Sequence, residues 1–471
     1  MKLFFLIYAP LLLCLLHHVS FAQPVPAVSV QLAAGKTGSI NDIIATNDGG
    51  YLCAGTTAKE PFRHNDIWLV KTSALGNIQW SKRYSDSLSE TAACITETSD
   101  GSYVIAGMEY VQEGVNTFER IIVIKVNQQG EKIWTQYINA AFHNFANALC
   151  PLADGSVMLG GWINKNVLLD FTESSTFLAV IDKNGKLIKS ATYGEPGYRR
   201  WVAGLFPVSG GVLIVSQNND GGVFVNEKTA FAYSLLTLHE DTSRGYIFRV
   251  NGSGTHFTQS ACMGADNTLT ISGTWGSGPG NFDVCTVQFN KKGTVNWVNL
   301  TGGGSDFRPY DAIALPDGNI MVAGVYTGPS DSGDFSARPM RMRIDKNGIL
   351  QESYQWNRPL RSLYAAAFNK ITGNAVLAES DNFFLTPQYS VLNRSNKNFE
   401  FCLPELPLGV ALPGPPFTLK RKDFILRATA SQTYNKTIPL ENYKAERSEV
   451  CSSPSPLPDS GIPGRLQQME Y

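Results

Sequence analysis

Ala45-Thr46-Asn47-Asp48-Gly49-Gly50-Tyr51-Leu52-Cys53-Ala54-Gly55 reads as the end of one strand, a tight turn and a second strand. Asp-Gly supplies the positive-φ position that a hairpin turn needs, and Tyr-Leu-Cys-Ala-Gly is a short apolar strand. After a polar loop, Ile67-Trp68-Leu69-Val70-Lys71 makes a third strand. A second turn closes at Gly76, and Ile78-Gln79-Trp80 opens a fourth. The unit then recurs.

Aligned on the first turn stand Asp48-Gly49, Asp100-Gly101, Asp154-Gly155, Ser209-Gly210, Asp266-Asn267, Asp317-Gly318 and Thr372-Gly373, at intervals of 51 to 57 residues. A small residue ends each second strand: Gly55, Gly107, Gly161, Ser216, Gly273, Gly324 and, more loosely, Ala378. Third strands are expected at Ile67 to Lys71, Ile121 to Val126, Phe177 to Asp182, Tyr246 to Asn251, Phe282 to Phe289, Met340 to Asp345 and Phe384 to Asn393. The second turn is plainest at Asp182-Lys183-Asn184-Gly185 and Asp345-Lys346-Asn347-Gly348. Seven copies of a four-stranded meander predict an all-β fold: a seven-bladed β-propeller of four-stranded antiparallel blades over residues 23–402. A solenoid would need shorter repeats or parallel strands. To close the ring, Val28-Ser29-Val30-Gln31-Leu32 competes with Phe399-Glu400-Phe401 for the missing strand of the last blade.

In register with Asp42 stand Cys94, Ala148, Ala203, Ser260, Asp311 and Ala366. Innermost strands converge on the propeller axis, where small side chains fit, so the two aspartates stand out.

Asn47-Asp48-Gly49-Gly50-Tyr51-Leu52-Cys53-Ala54-Gly55, Asn65-Asp66-Ile67-Trp68-Leu69-Val70-Lys71 and Gly76-Asn77-Ile78-Gln79-Trp80-Ser81-Lys82 resemble the Asp-Gly-Gly repeat of secreted β-propeller proteins from Bacteroidetes. Glu131-Lys132-Ile133-Trp134 and Thr294-Val295-Asn296-Trp297 match its fourth-strand tryptophan. The resemblance runs from about Val28 to about Cys402 and implies a surface or secreted protein. Some members carry a C-terminal sorting domain, and none is recognisable here. The spacing from Gly76 to Trp80 also resembles the tryptophan-docking motif of quinoprotein dehydrogenases. There it locks neighbouring blades together, so it implies no quinone, and no cofactor is expected.

Residues 1–22 read as a secretory signal peptide. Lys2 is the charged start, Leu3 to Leu16 the apolar run, and Ser20-Phe21-Ala22 offers small residues for cleavage. His17-His18 cut the run short of a membrane span. No later stretch is apolar enough to span, so a secreted or cell-surface location is expected. A net charge of −1 gives no electrostatic case for nucleic acid. Residues 403–471 read as a Pro-rich linker, through Leu412-Pro413-Gly414-Pro415-Pro416, followed by an irregular, partly disordered tail.

Cys53, Cys94, Cys150, Cys262 and Cys285 fall on apolar strand positions and read as buried thiols. No Cys or His spacing suggests a metal site. Cys402 and Cys451 lie outside the repeat, where an exported chain permits a disulfide stapling the tail to the ring.

Candidate ligand-binding residues gather at the expected channel mouth: Asp42, Glu90, Arg200, Trp201, Arg308, Tyr310, Asp311 and Arg361. The arginines and aromatic rings suit an anionic or sugar ligand. Asp42 and Asp311, with Glu90, admit a glycosidase reading, because such enzymes set two carboxyl groups across a scissile bond. The plainer reading has the aspartates accept backbone amides at strand starts. The preferred expectation is therefore a non-catalytic exported propeller that binds a protein or polysaccharide, with a secreted carbohydrate-active enzyme as the alternative.

Overall fold

A computed structural model describes residues 26–452, apart from 35–36, 59–63, 86–87, 115, 167–173, 194–201, 220–228, 237–241, 251–254, 277–280, 330–334, 360, 382–388, 409, 413–416, 429–431, 435–439 and 443–444. The proposed signal segment, the three prolines and glycine of the linker after Leu412, and residues 453–471 lie outside the described residues, as do Arg200 and Trp201.

Seven antiparallel meanders form the ring. Blade 1 is Thr37–Ala45, Tyr51–Ala58, Asn65–Thr72 and Ile78–Tyr84. Blade 2 is Ser89–Glu97, Tyr103–Glu113, Asn116–Val126 and Lys132–Asn139. Blade 3 is His143–Pro151, Val157–Asn164, Ser174–Ile181 and Leu187–Tyr193. Blade 4 is Val202–Val208, Gly211–Asn219, Thr229–Leu236 and Thr242–Val250. Blade 5 is Thr255–Met263, Leu269–Gly276, Phe282–Phe289 and Val295–Gly302. Blade 6 is Asp306–Ala314, Ile320–Pro329, Phe335–Ile344 and Leu350–Trp356. Blade 7 is Arg361–Asn369, Asn374–Asp381 and Tyr389–Arg394, completed by the N-terminal strand Val28–Ala34. That strand pairs Val28 with Arg394 and Ala33 with Tyr389. The N-terminal segment therefore closes the ring, and Phe399 and Phe401 pack beneath it against the core between blades 6 and 7.

The core is divided the same way. Seven apolar clusters each fill one wedge between neighbouring blades. Leu52, Leu69 and Tyr84 of blade 1 meet Ile105, Ile122 and Tyr137 of blade 2, for example. Third strands lie between two packed faces, so they are buried almost continuously; Phe282–Phe289 is buried at every position.

Turn chemistry explains the Asp-Gly signature. Gly49 sits at φ 82° and returns its amide to the Thr46 carbonyl at 2.9 Å. Asp48 accepts the Gly50 amide at 3.0 Å and the Lys71 ammonium at 2.7 Å. Burial pushes this carboxyl up, yet Lys71, the Thr46 hydroxyl and the Gly50 amide outweigh it and hold it low. Asp100 and Lys125 repeat the clasp at 2.7 Å in blade 2.

Adjacent blades are locked by tryptophan. Trp80, Trp134 and Trp297 donate to the carbonyls of Gln128, Lys183 and Lys346 in the following blade, at 2.9–3.0 Å. Each ring covers that blade's turn glycine: Gly130, Gly185 or Gly348. At Gly76 the place of the tryptophan is taken by Val30 of the closing strand.

Blade 4 departs from the expected strand order. Of the segment expected there as the third strand, Tyr246 to Val250 belongs to the fourth strand, Thr242–Val250, and the third strand, Thr229–Leu236, falls inside what reads in sequence as a long loop. Asn251-Gly252 follows the fourth strand and imitates the second hairpin turn of the other copies.

The tail departs most. Among its described residues, between 405 and 452, it runs once around the propeller and adds an outer strand to every blade where an irregular course was expected. Glu405–Pro407 pairs with blade 6 and Val410–Leu412 with blade 5. Phe417–Ala428 pairs first with blade 4 and then with blade 3. Gln432–Tyr434 joins blade 2, Leu440–Asn442 joins blade 1, and Ala445–Ser452 joins the closing strand of blade 7. Because one strand serves blades 3 and 4, hydrogen bonding merges them into a single nine-stranded sheet, and the seven blades form six sheets. A disulfide joins Cys402 to Cys451, the two ends of this girdle. The outer edge of each blade, otherwise open to pairing with another chain, is covered.

Candidate functional site

Every innermost strand carries one bulge at the same height. The extra residues are Asn41, Ala93, Asn147, Ala203, Gln259, Tyr310 and Tyr364, each standing between two register-paired neighbours. A bulge turns one residue out of the ladder. Here it turns toward the axis, where these seven line a channel of about 280 Å³.

The bulges also correct the alignment at the axis. The residue following each is Asp42, Cys94, Ala148, Gly204, Ser260, Asp311 or Ala365, so Gly204 and Ala365 hold the places expected for Ala203 and Ala366. The small-residue rule survives the shift.

Asp42 and Asp311 act as clamps between blades. Asp42 accepts the amide of Ile43 in its own strand and of Ile95 in blade 2, both at 2.8 Å. Asp311 accepts the amides of Ala312 at 2.8 Å and Ala366 of blade 7 at 2.7 Å, and the Ser260 hydroxyl of blade 5 at 2.9 Å. These are free edge amides of the innermost strands, which no further strand can satisfy.

Burial and, after it, the Asp311 carboxylate push Asp42 up to about 7, with the two amides opposing them only in part. Burial likewise pushes Asp311 up to about 6 against its amide and hydroxyl donors. Both folded-state values exceed the ordinary carboxylate value of 3.8. The folded protein then binds more protons than the unfolded chain, and the associated stability is complete below about pH 4 and is lost as pH rises through 6 and 7. Both carboxyls line the channel rather than the sealed core, which calls for a discount, so a loss of about 1–2 kcal/mol between pH 5 and pH 8 is expected. Asp42→Asn should flatten that slope in thermal melts across the range. An unchanged slope would show that the carboxyl titrates normally.

Of the other expected site residues, Tyr310 lies in the channel, with its ring stacked on Tyr364 at 5.0 Å between centroids. Glu90, Arg308 and Arg361 lie outside the channel wall. Glu90 is fully buried within blade 2, opposite Glu109. Arg361 is buried and bonded to Glu379 at 2.8 Å. Arg308 pairs with Asp306 at 3.1 Å and lies over the Phe282 ring. Strand alternation sends these three side chains into or around the sheets, away from the channel that the bulge residues and those just after them line. Sequence reading missed Asn41, Asn147, Gln259 and Tyr364. Their signal was present one residue ahead of the aligned aspartate position, but a bulge leaves no mark in a period-two pattern.

All five remaining described cysteines are buried free thiols. Among the described residues, no cluster of three or more His, Cys, Asp or Glu side chains is placed to hold a metal. No described helix is long and apolar enough to cross a membrane.

No protein-family model and no curated protein matches the chain. Solved structures resemble it in fold. The polysaccharide lyase Uly1 aligns over 80% of this chain and 100% of its own, at 8% identity and TM-score 0.47. A protein of unknown function from Dyadobacter fermentans DSM 18053 aligns over 79% and 99%, at 10% identity and TM-score 0.38. The α-L-arabinanase of Penicillium chrysogenum, complexed with arabinobiose, aligns over 65% and 94%, at 9% identity and TM-score 0.38. Likenesses at this level say nothing of what this chain binds.

Proposed function

We propose that the protein is an exported, non-catalytic propeller that binds polysaccharide at the cell surface through its axial channel. The observation that carries this reading is the division of labour in the channel. The two carboxylates are occupied in clamping blades 1, 2, 6 and 7, and the Asn41 amide donates to the Ala92 carbonyl of blade 2 at 2.7 Å, whereas the neutral side chains Asn147 and Gln259 and the stacked Tyr310–Tyr364 pair face the axis. Amide groups and an aromatic face are the chemistry that recognises a polyhydroxylated ring. A glycosidase would need a carboxyl free to protonate a leaving oxygen and a second free to attack or to activate water. The Cys402–Cys451 disulfide supports passage through an oxidising compartment, as does the signal-like start.

The test is a glycan array probed with the full chain, followed by reducing-sugar assays on every glycan retained. Retention without release is expected. Release by the parent that disappears in Asp311→Asn, with the melting curve unchanged, would overturn the non-catalytic assignment.

A further inference from the structure

The clamps show what the axis recognises. In blades 1, 2, 6 and 7, the amide two residues past each bulge, at Ile43, Ile95, Ala312 and Ala366, points at the channel and holds a carboxylate oxygen at 2.7–2.8 Å. Blades 3, 4 and 5 have the same bulge in the same register, so the amides of Leu149, Leu205 and Ala261 point the same way. All three residues line the channel, on consecutive blades.

The repeat supplies no carboxylate to them. By the rule that Asp42 and Asp311 follow, their acceptors would come from positions 94, 148 and 204, which are Cys, Ala and Gly. Ser260 turns its hydroxyl to Asp311 and to the Ala312 amide at 2.9 Å, toward blade 6. The arc is thus a row of three edge amides flanked by the bulge side chains of Asn147 and Gln259. One carboxylate spans the edge amides of two neighbouring blades at Asp42 and again at Asp311, so a row of such amides without its carboxylate is an anion site, and charge-assisted bonds to a carboxylate are the stronger kind.

We propose that the amides of Leu149, Leu205 and Ala261 bind a carboxylate of the ligand, which makes the polysaccharide an acidic, uronate-containing one. This rests on the carbohydrate reading given above. The stacked tyrosines on the opposite arc favour a sugar ring over a peptide terminus as the bearer of the carboxylate.

The repeat also supplies the test. Ala148→Asp places a carboxylate where Asp42 and Asp311 already stand, within reach of the Leu149 and Leu205 amides, and should close the arc from inside. Ala148→Ser adds an uncharged acceptor, as Ser260 already does for the Ala312 amide, and so covers the arc only in part. The full chain and both variants would be titrated calorimetrically with oligogalacturonate and with neutral oligogalactose. The parent should prefer the acidic oligomer by about tenfold, Ala148→Ser should prefer it by less, and Ala148→Asp should lose that preference while retaining its melting temperature. Equal affinity of the parent for both oligomers would overturn the carboxylate site and leave the carbohydrate reading standing. So would a preference retained in a folded Ala148→Asp.

A second measurement is independent of glycan binding and of whether the variant folds. Acetate titrated into the parent should shift the amide resonances of Leu149, Leu205 and Ala261. If neither oligomer binds but acetate moves these three resonances, the arc stands and the polysaccharide assignment falls. If acetate leaves them unmoved, the arc itself is overturned.

Discussion

Reduction of the Cys402–Cys451 disulfide is expected to destabilise the protein by about 4 kcal/mol, from the chain entropy released when a loop of this length opens. The bond closes a segment with a sequence separation of 49 residues that passes every blade. While it is closed, the girdle strands can leave their edges only as a ring. Once it is open, the Cys451 end is free to peel, while the Cys402 end stays joined to blade 7 through the chain. Short strands such as Gln432–Tyr434 and Leu440–Asn442 make few pairings of their own, so much of their hold comes from this closure. The start of the girdle has a further anchor, where Arg341 donates to Glu405 at 2.5 and 2.6 Å from two nitrogens. Peeling should therefore begin at the Cys451 end. Melts with and without reductant, and with Cys402→Ser, would read the loss. Limited proteolysis of the reduced protein should cut first near residues 435–452. Non-reducing mass spectrometry should find this one disulfide and five free thiols in the exported chain. Equal melting in both redox states would show that the girdle is held by pairing alone.

Trp134→Ala is expected to destabilise by about 3 kcal/mol, the lower end for removing a large aromatic because the ring is only half-buried. The indole of blade 2 donates to the Lys183 carbonyl of blade 3 at 3.0 Å and lies on Gly185. Its loss removes a hydrogen bond and opens the apolar wedge between the two blades. Gly185→Ala attacks the same contact from the other side. Gly185 has φ 90°, and a Cβ there would stand 2.8 Å from the indole. Chemical denaturation of both single variants and the double variant separates the effects. The pair should be markedly less than additive, because both break one contact. Full additivity would place the two residues in independent roles.

These contacts show where sequence is informative. The Asp-Gly turn, the Lys clasp and the turn glycine under the tryptophan are local, and each demands a particular residue type at a fixed offset. Seven repetitions of that pattern determine the number of blades and the order of their strands. They also single out Asp42 and Asp311, because a carboxylate among small residues breaks the pattern at the axis. Where a copy lacks its own turn signal the reading slips, as in blade 4, where Asn251-Gly252 occupies the wrong place.

What the tertiary structure alone decided depends on which edges meet. The tail strands carry little pattern of their own because they pair with edges already built. Glu405 and Arg341 are 64 residues apart in the chain, and no spacing rule joins them. The channel is similar. Its donors are backbone amides, which every residue carries, so sequence can show only where a side chain covers them. That Leu149, Leu205 and Ala261 face the axis with no carboxylate at the positions that cap their counterparts follows from seven bulges in one register, and register is a property of strands side by side rather than of a strand alone.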